Sequence, residues 1–326
     1  MHKSLLLTSL GFLAARTAAH ASPQAQSDSP AVAAPVRGGA PPNSSVHDTA
    51  YKHFDCGTDA SQAQQDFLDA IASLHQEHKA AGASGARARA AALRARQGPV
   101  AVDAYFHVVS SSAKDGQITQ QMAADQVAAL NTAYNPHNIR FNLLNTSFTV
   151  NDAWAVGAGD DDGAMKAALR QGSYSALNIY FQTDLAGNIL GTCTLPSEIG
   201  EAPVDRVVYV ADGCNVQANT MPGGSVLGYN SGMTAVHETG HWMGLLHTFE
   251  GYACDGDGDF IVDTPVQSTS TDGCPVSPAK DSCPGVPGDD PIHNYMDYST
   301  DACYTGFTAG QVDRMQSMWA VYRNGR

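Results

Sequence analysis

The stretch His237-Glu238-Thr239-Gly240-His241-Trp242-Met243-Gly244-Leu245-Leu246-His247 decides how the rest of the chain is read. An α-helix turns about 100° and rises about 1.5 Å per residue, so His237 and His241 fall on one face, one turn apart. Two imidazoles at that spacing reach a single Zn2+, each at about 2.0–2.1 Å. Glu238 stands one step round the helix, beside the metal without being a ligand. From there it can take a proton from a zinc-activated water as general base and pass it on to a leaving amine. On an unbroken helix His247 would lie about 15 Å along the axis from His237 and would not share the ion. The chain must therefore turn between His241 and His247. Gly244 permits it, because glycine takes positive φ at little cost and commonly ends helices. Three histidines leave a fourth position for water, the mark of a catalytic zinc site; structural sites are closed by a fourth protein ligand, usually Cys.

Upstream, residues 1–21 have the layout of a secretory signal. His2 and Lys3 open it, Leu5 to Ala15 is apolar but too short to span a bilayer, and Ala19-His20-Ala21 places cleavage after Ala21. No later apolar run is long enough for a membrane helix. Residues 22–50, rich in Ala, Pro, Ser and Gly, read as a flexible start to a leader. Asp59 to about Ala81 is expected to be a helix with Phe67, Leu68, Ile71 and Leu74 on one side. Arg87, Arg89, Arg94 and Arg96 follow in an Ala-rich segment that ends at the breaker pair Gly98-Pro99. That segment is either a processing site or an ordinary solvated helix. The boundaries are thus 22–98 for a leader and 99–326 for the functional domain.

Within 99–326, Val100 to Val109 and Ile139 to Val150 read as strands, and Thr119 to Tyr134 as a helix. Asp162 to Arg170 reads as a short helix, and Leu177 to Phe181 and Arg206 to Val210 as buried-type strands. This alternation predicts an α/β (α+β) fold, a mixed twisted sheet with helices packed on it. The domain from Pro99 onward carries nine basic and 25 acidic residues, whereas 22–98 is balanced at seven of each. Such a domain repels nucleic acid and anionic membranes. The excess either favours basic substrates or serves solubility and calcium sites. Asn43 and Asn145 begin Asn-x-Ser sequons and are candidate glycosylation sites. Seven cysteines suit an oxidising compartment: six can form three disulfides, with 15 possible pairings, and Cys56 is left over.

The eleven-residue zinc motif resembles that of the metzincin metallopeptidases, and His293-Asn294-Tyr295-Met296-Asp297-Tyr298 is similar to their Met-containing turn. Pro222-Gly223-Gly224-Ser225, Tyr229-Asn230-Ser231-Gly232 and Gly258-Asp259-Phe260-Ile261-Val262-Asp263-Thr264-Pro265 make the likeness closer to the pappalysin family, from roughly Pro99 to Arg326. The resemblance implies a metzincin-like zincin: a five-stranded sheet with backing and active-site helices (about 99–247), then a loop-rich, disulfide-stapled lower part ending in a helix (about 248–326). It implies that Met296 floors the imidazoles, that Tyr298 hydrogen-bonds the oxyanion, and that the pairs are Cys193–Cys214, Cys254–Cys283 and Cys274–Cys303. It also implies calcium, for which Asp255, Asp257, Asp259 and Asp263 are the crowded carboxylates at hand. Cys56 is either a latency switch that fills the open zinc position or an unpaired thiol of the mature protein. The expected protein is a secreted, monomeric zinc endopeptidase acting on proteins or peptides, with cleavage beside basic residues and self-processing near Arg94 or Arg96. A secreted binding protein with a vestigial metal site, or a zinc hydrolase of another substrate class, are the competing readings.

Overall fold

The computed structural model describes residues 54–200 and 205–326; the expected signal segment, the Asn43 sequon and the leader up to residue 53 lie outside them. Seven helices are present among the described residues: α1 (Gln65–Gln97), α2 (Gln120–Tyr134), α3 (Asp152–Val156), α4 (Asp160–Leu169), α5 (Arg206–Ala211), α6 (Met233–Trp242) and α7 (Ala309–Met318). The strands are β1 (Val100–Ser110), β2 (Ile139–Val150), β3 (Leu177–Gln182), β4 (Gly191–Cys193) and β5 (Cys214–Gln217). They form one sheet in the order β2-β1-β3-β5-β4. Four strands run parallel and β4 alone is antiparallel, along β5.

Parallel neighbours need crossover connections, and the sequence supplies them as capped helices. Thr119 caps α2 by accepting the Met122 N–H, and Asn151 caps α3 by accepting the Trp154 N–H. β3 is buried at all six positions, as a strand covered on both faces should be. The main core unites Val102, Phe106, Leu130 and Ile179 with Trp242 and Met296, so the sheet, α2 and the zinc-motif helix α6 share one apolar interior.

Two expectations change. Arg206 to Val210 is not a strand but lies in helix α5. Asp205 accepts the N–H groups of Val207 and Val208, which caps a helix, and Val207 is 80% exposed, which no buried strand allows. The place beside β3 is taken by β5 instead. The helix expected over Asp59 to Ala81 begins at Gln65, after a single 3-10 turn at Ala60–Gln62. It breaks at Gly82 (φ 67°) and resumes to Gln97. Its Phe67 and Ile71 are buried against Leu195, Leu246, Met318 and Tyr322, and His78 lies 2.8 Å from Asp313 of α7. Residues 54–98 therefore pack on the remainder within one compact unit.

Between α6 and α7 the chain has little regular structure. Disulfides Cys254–Cys283 and Cys274–Cys303 hold that stretch, while Cys193–Cys214 ties β4 to β5. Asn145 is exposed on the edge strand β2.

Behind α6 sits a buried polar cluster. Asp212, 2% exposed, pairs with Arg323 (3.0 Å) and Arg170 (3.3 Å) and accepts from Trp242 Nε1 (3.2 Å) and Thr194 Oγ1 (3.0 Å). Arg323 also lies 3.7 Å over the Trp242 ring and donates from Nε to the Trp242 carbonyl at 3.0 Å. It thus gives a last-turn carbonyl of α6 both a partner and a favourable charge. Replacing Asp212 by Ala strands two buried guanidinium groups. Stability should fall by about 3–5 kcal/mol, read as a lower denaturant midpoint with an unchanged slope.

Candidate metal centre

Helix α6 carries His237 and His241 on one face, and every residue from Thr234 to Trp242 is buried. The helix then ends in a Schellman turn: Gly244 N–H donates to His241 O (2.8 Å) and Leu245 N–H to Gly240 O (2.9 Å). Gly244 has φ +99°, and a Cβ there would meet Met318 Cγ at 2.6 Å, so both conformation and packing require glycine. The turn brings His247 back beside the other two. His241 Nε2 lies 3.1 Å from His237 Nε2 and 3.1 Å from His247 Nε2.

The opposite nitrogens fix the tautomers of two rings. His237 Nδ1 donates to Tyr295 O (2.7 Å) and His241 Nδ1 to Leu245 O (2.9 Å). Their Nε2 atoms then carry lone pairs, and lone pairs this close repel unless a cation lies between them. Burial, together with the neighbouring imidazoles at His237 and His247, holds all three rings below the usual imidazole range, His241 at about 4, so they are neutral, the form in which imidazole binds a metal. A tetrahedral Zn2+ with bonds of about 2.05 Å would place its nitrogens about 3.3 Å apart. The residues fit the ion.

Cys56 is a fourth member of this cluster. Its buried, unpaired Sγ lies 3.6 Å from His241 Nε2, and the four donor atoms fall within 4.8 Å of one another. A thiolate and an imidazole on one tetrahedral zinc are about 3.6 Å apart. Burial and the charge of Glu238 push the Cys56 thiol well above its ordinary range, which a dication at the centre would reverse. Glu238 is fully buried. Burial raises its carboxyl to about 8, against the hydrogen bonds of Cys56 and Thr58. Tyr298 accepts the Cys56 N–H at its phenol oxygen (3.2 Å) and lies 3.3 Å from His247 Nε2. Met296 is buried, and a Cβ on Gly240, between His237 and His241 on α6, would run into its Sδ.

The four aspartates do not gather into one ligand set among the described residues. Asp257 pairs with His75 (3.2 Å) and Lys79 (3.1 Å) of α1. Asp259 is buried and accepts the Ile261 N–H, and Asp263 accepts the Gly310 N–H near the start of α7. Asp257 thus draws cationic partners from α1 and Asp263 a backbone N–H from α7, while Asp259 is bonded within its own loop. Other residues of the site carry no signal in the sequence alone: Thr58, which holds Cys193 and reaches Glu238 at 3.5 Å; Phe249, stacked on His247 at 4.9 Å; and Gly191, where a Cβ would strike Glu238. Asp301, whose carboxylate accepts the Ser231 N–H (2.6 Å) just before α6, belongs with them.

Three converging imidazoles and an adjacent glutamate, under the edge of a mixed five-stranded sheet, define a metzincin-like metallopeptidase. The sequence profile of the M43 peptidases, described as pregnancy-associated plasma protein-A, matches residues 163–320. An extracellular metalloprotease of Neurospora crassa is 45% identical over 295 residues, which span 90% of this chain and 95% of that one. Extracellular metalloprotease 1 of Coccidioides posadasii is 49% identical over 232 residues, 71% of this chain and 80% of that one. Mature mirolysin of Tannerella forsythia, solved in complex with a cleaved peptide, matches with a TM-score of 0.57 at 28% identity, over 68% of this chain and 92% of that one. The chain belongs to the pappalysin family and is a secreted metalloendopeptidase.

The raised Glu238 carboxyl sets a pH dependence for the metal-free protein. Its folded pKa exceeds the unfolded one, so the stability it confers is complete below about pH 4.5 and is lost as pH rises through about 8. Metal-free Glu238→Gln lacks this loss. Its advantage over wild type should grow by up to about 1.4 kcal/mol per pH unit between those limits, read from denaturant midpoints at pH 5, 6.5 and 8.

Proposed function

We propose that the chain is made as a latent zinc endopeptidase whose leader, residues 22–98, closes the site through Cys56, and that Glu238 is the general base of peptide hydrolysis. The observation that carries this reading is the approach of Cys56 Sγ to the three imidazoles, 3.6 Å from His241 Nε2. In this reading the thiol takes the position that catalytic zinc leaves to water.

The backbone around Cys56 supports the same reading. Gly57 N–H donates to Gly191 O and Leu190 N–H to Asp55 O, both at 2.8 Å, so the leader adds itself to the edge strand β4. An extended substrate would take that edge in its place. Zn2+, when bound by His237, His241 and His247, supplies a Lewis acid that polarises the scissile carbonyl and acidifies a water. Glu238, one residue along α6 from His237, takes the proton of the attacking water and returns it to the leaving amine. The Tyr298 phenol, freed of Cys56, donates to the oxyanion developing on the scissile carbonyl. The acidic excess of residues 99–326 draws basic segments towards the domain over a Debye length, and the chain's own Arg94 and Arg96 lie within such a segment.

Glu238→Ala should lose at least about 100-fold in casein hydrolysis while retaining one zinc per chain by mass analysis. Persistent proteolysis would sink its role as base, and chelation should silence the wild type. Cys56→Ala should shorten the lag before the secreted chain becomes active; an unchanged lag counts against the latch.

A further inference from the structure

Asp297 lies between Met296 and Tyr298 and is fully buried. One carboxylate oxygen, Oδ1, accepts the Tyr298 N–H at 2.8 Å and the Thr271 N–H at 2.9 Å. The other accepts the Thr271 hydroxyl and, at 3.0 Å, the amide Nε2 of Gln267. Gln267 is buried as well. Its amide oxygen accepts the hydroxyl of Thr248, the residue after the third histidine, at 2.8 Å. The Thr248 N–H donates to Met296 O at 3.2 Å. The Tyr298 phenol closes the circuit, 3.3 Å from His247 Nε2. His247 and Tyr298 are thus joined twice: directly across the site, and from behind through Thr248, Gln267 and Asp297.

Apolar side chains at 267 and 297 would fill the same space without the desolvation that a buried carboxylate and amide incur. What the polar pair adds is direction. Hydrogen bonds hold narrow ranges of length and angle, so the backbone at Tyr298 is fixed relative to that at Thr248. A phenol at the end of a long side chain magnifies any tilt of its backbone, and a misplacement of about 1 Å at a reacting centre costs about 100-fold in rate. Resting on the peptidase reading of the site, in which Tyr298 donates to the oxyanion, we propose that Gln267 and Asp297 are positioning residues for the reaction. They set where the Tyr298 phenol stands relative to the third histidine, and their effect on the rate runs through that phenol.

The test is a double-mutant cycle on full-length chains, loaded with zinc and matured with trypsin, which is then inactivated. The new N-terminus is sequenced, and kcat and KM are read on a casein-derived peptide. Tyr298→Phe should lose about 100-fold in kcat, as when one oxyanion donor is removed. Gln267→Met, close in size, should lose about tenfold in kcat, with KM within about twofold and one zinc per chain. In the Tyr298→Phe background the same change should cost less than about twofold, because the group it positions is gone. Thr248→Val leaves Asp297 fully paired; it should show the same pattern at smaller size, and it replaces Gln267→Met in the cycle if that variant does not fold. Equal losses in the two backgrounds overturn the proposal, since general disruption of the fold acts whether or not the phenol is there. An unchanged kcat, or a loss carried by KM or by zinc content, overturns it too. If Tyr298→Phe alone leaves kcat unchanged, the oxyanion role falls and the positioning falls with it. If the wild type leaves the peptide and casein uncut, the peptidase reading itself fails, a result visible before any variant is made.

Discussion

Three imidazole nitrogens that face one another at hydrogen-bond distance, two of them with their protons held on the far side of the ring, are the constraint around which this molecule is organised. Lone pairs in that arrangement repel, and burial denies them water, so the arrangement is held by structure until a cation fills it. Each holding element has a visible origin. The Tyr295 and Leu245 carbonyls orient the rings, the Schellman turn at Gly244 reverses the chain, and Met296 packs where Gly240 has no side chain. At its two ends α6 meets charges of the helpful sign, Asp301 where its N–H groups begin and Arg323 where its carbonyls end.

The N-terminal segment meets that centre with three kinds of contact at once. The thiol approaches the imidazoles, the backbone extends the sheet, and Phe54 fills an aromatic seat. Further along, α1 lays Phe67 and Ile71 against Leu246, the neighbour of His247, so the same segment also supports the turn from behind. Shared packing of this kind makes it part of one cooperative unit.

Spacing made the centre legible. Four residues from His237 to His241 dictate one helical face, and six more to His247 dictate a break that only Gly244 accommodates. The long strands β1 and β2 and the capped helix α2 were equally plain, because each is long enough to show a period. Short apolar runs were not. Arg-Val-Val-Tyr-Val at 206–210 has strand composition, yet the cap at Asp205 and the lack of a covering layer make it a helix, while β4 and β5, three and four residues long, are too brief to show alternation. The aspartates are a different case. Crowding in sequence suggested a shared cation, but Asp257 finds its partners 178 and 182 residues away on α1, which no local reading reveals.

The glycine at position 191 carries a consequence for recognition. A side chain there would collide with Glu238, so the rim of the cleft presents bare backbone beside that carboxyl. At that point the chain's own segment Asp55–Gly57 is held by its amides, and amides are common to every polypeptide. A grip of that kind is indifferent to sequence, and any discrimination between one extended segment and another must come from the pockets to either side.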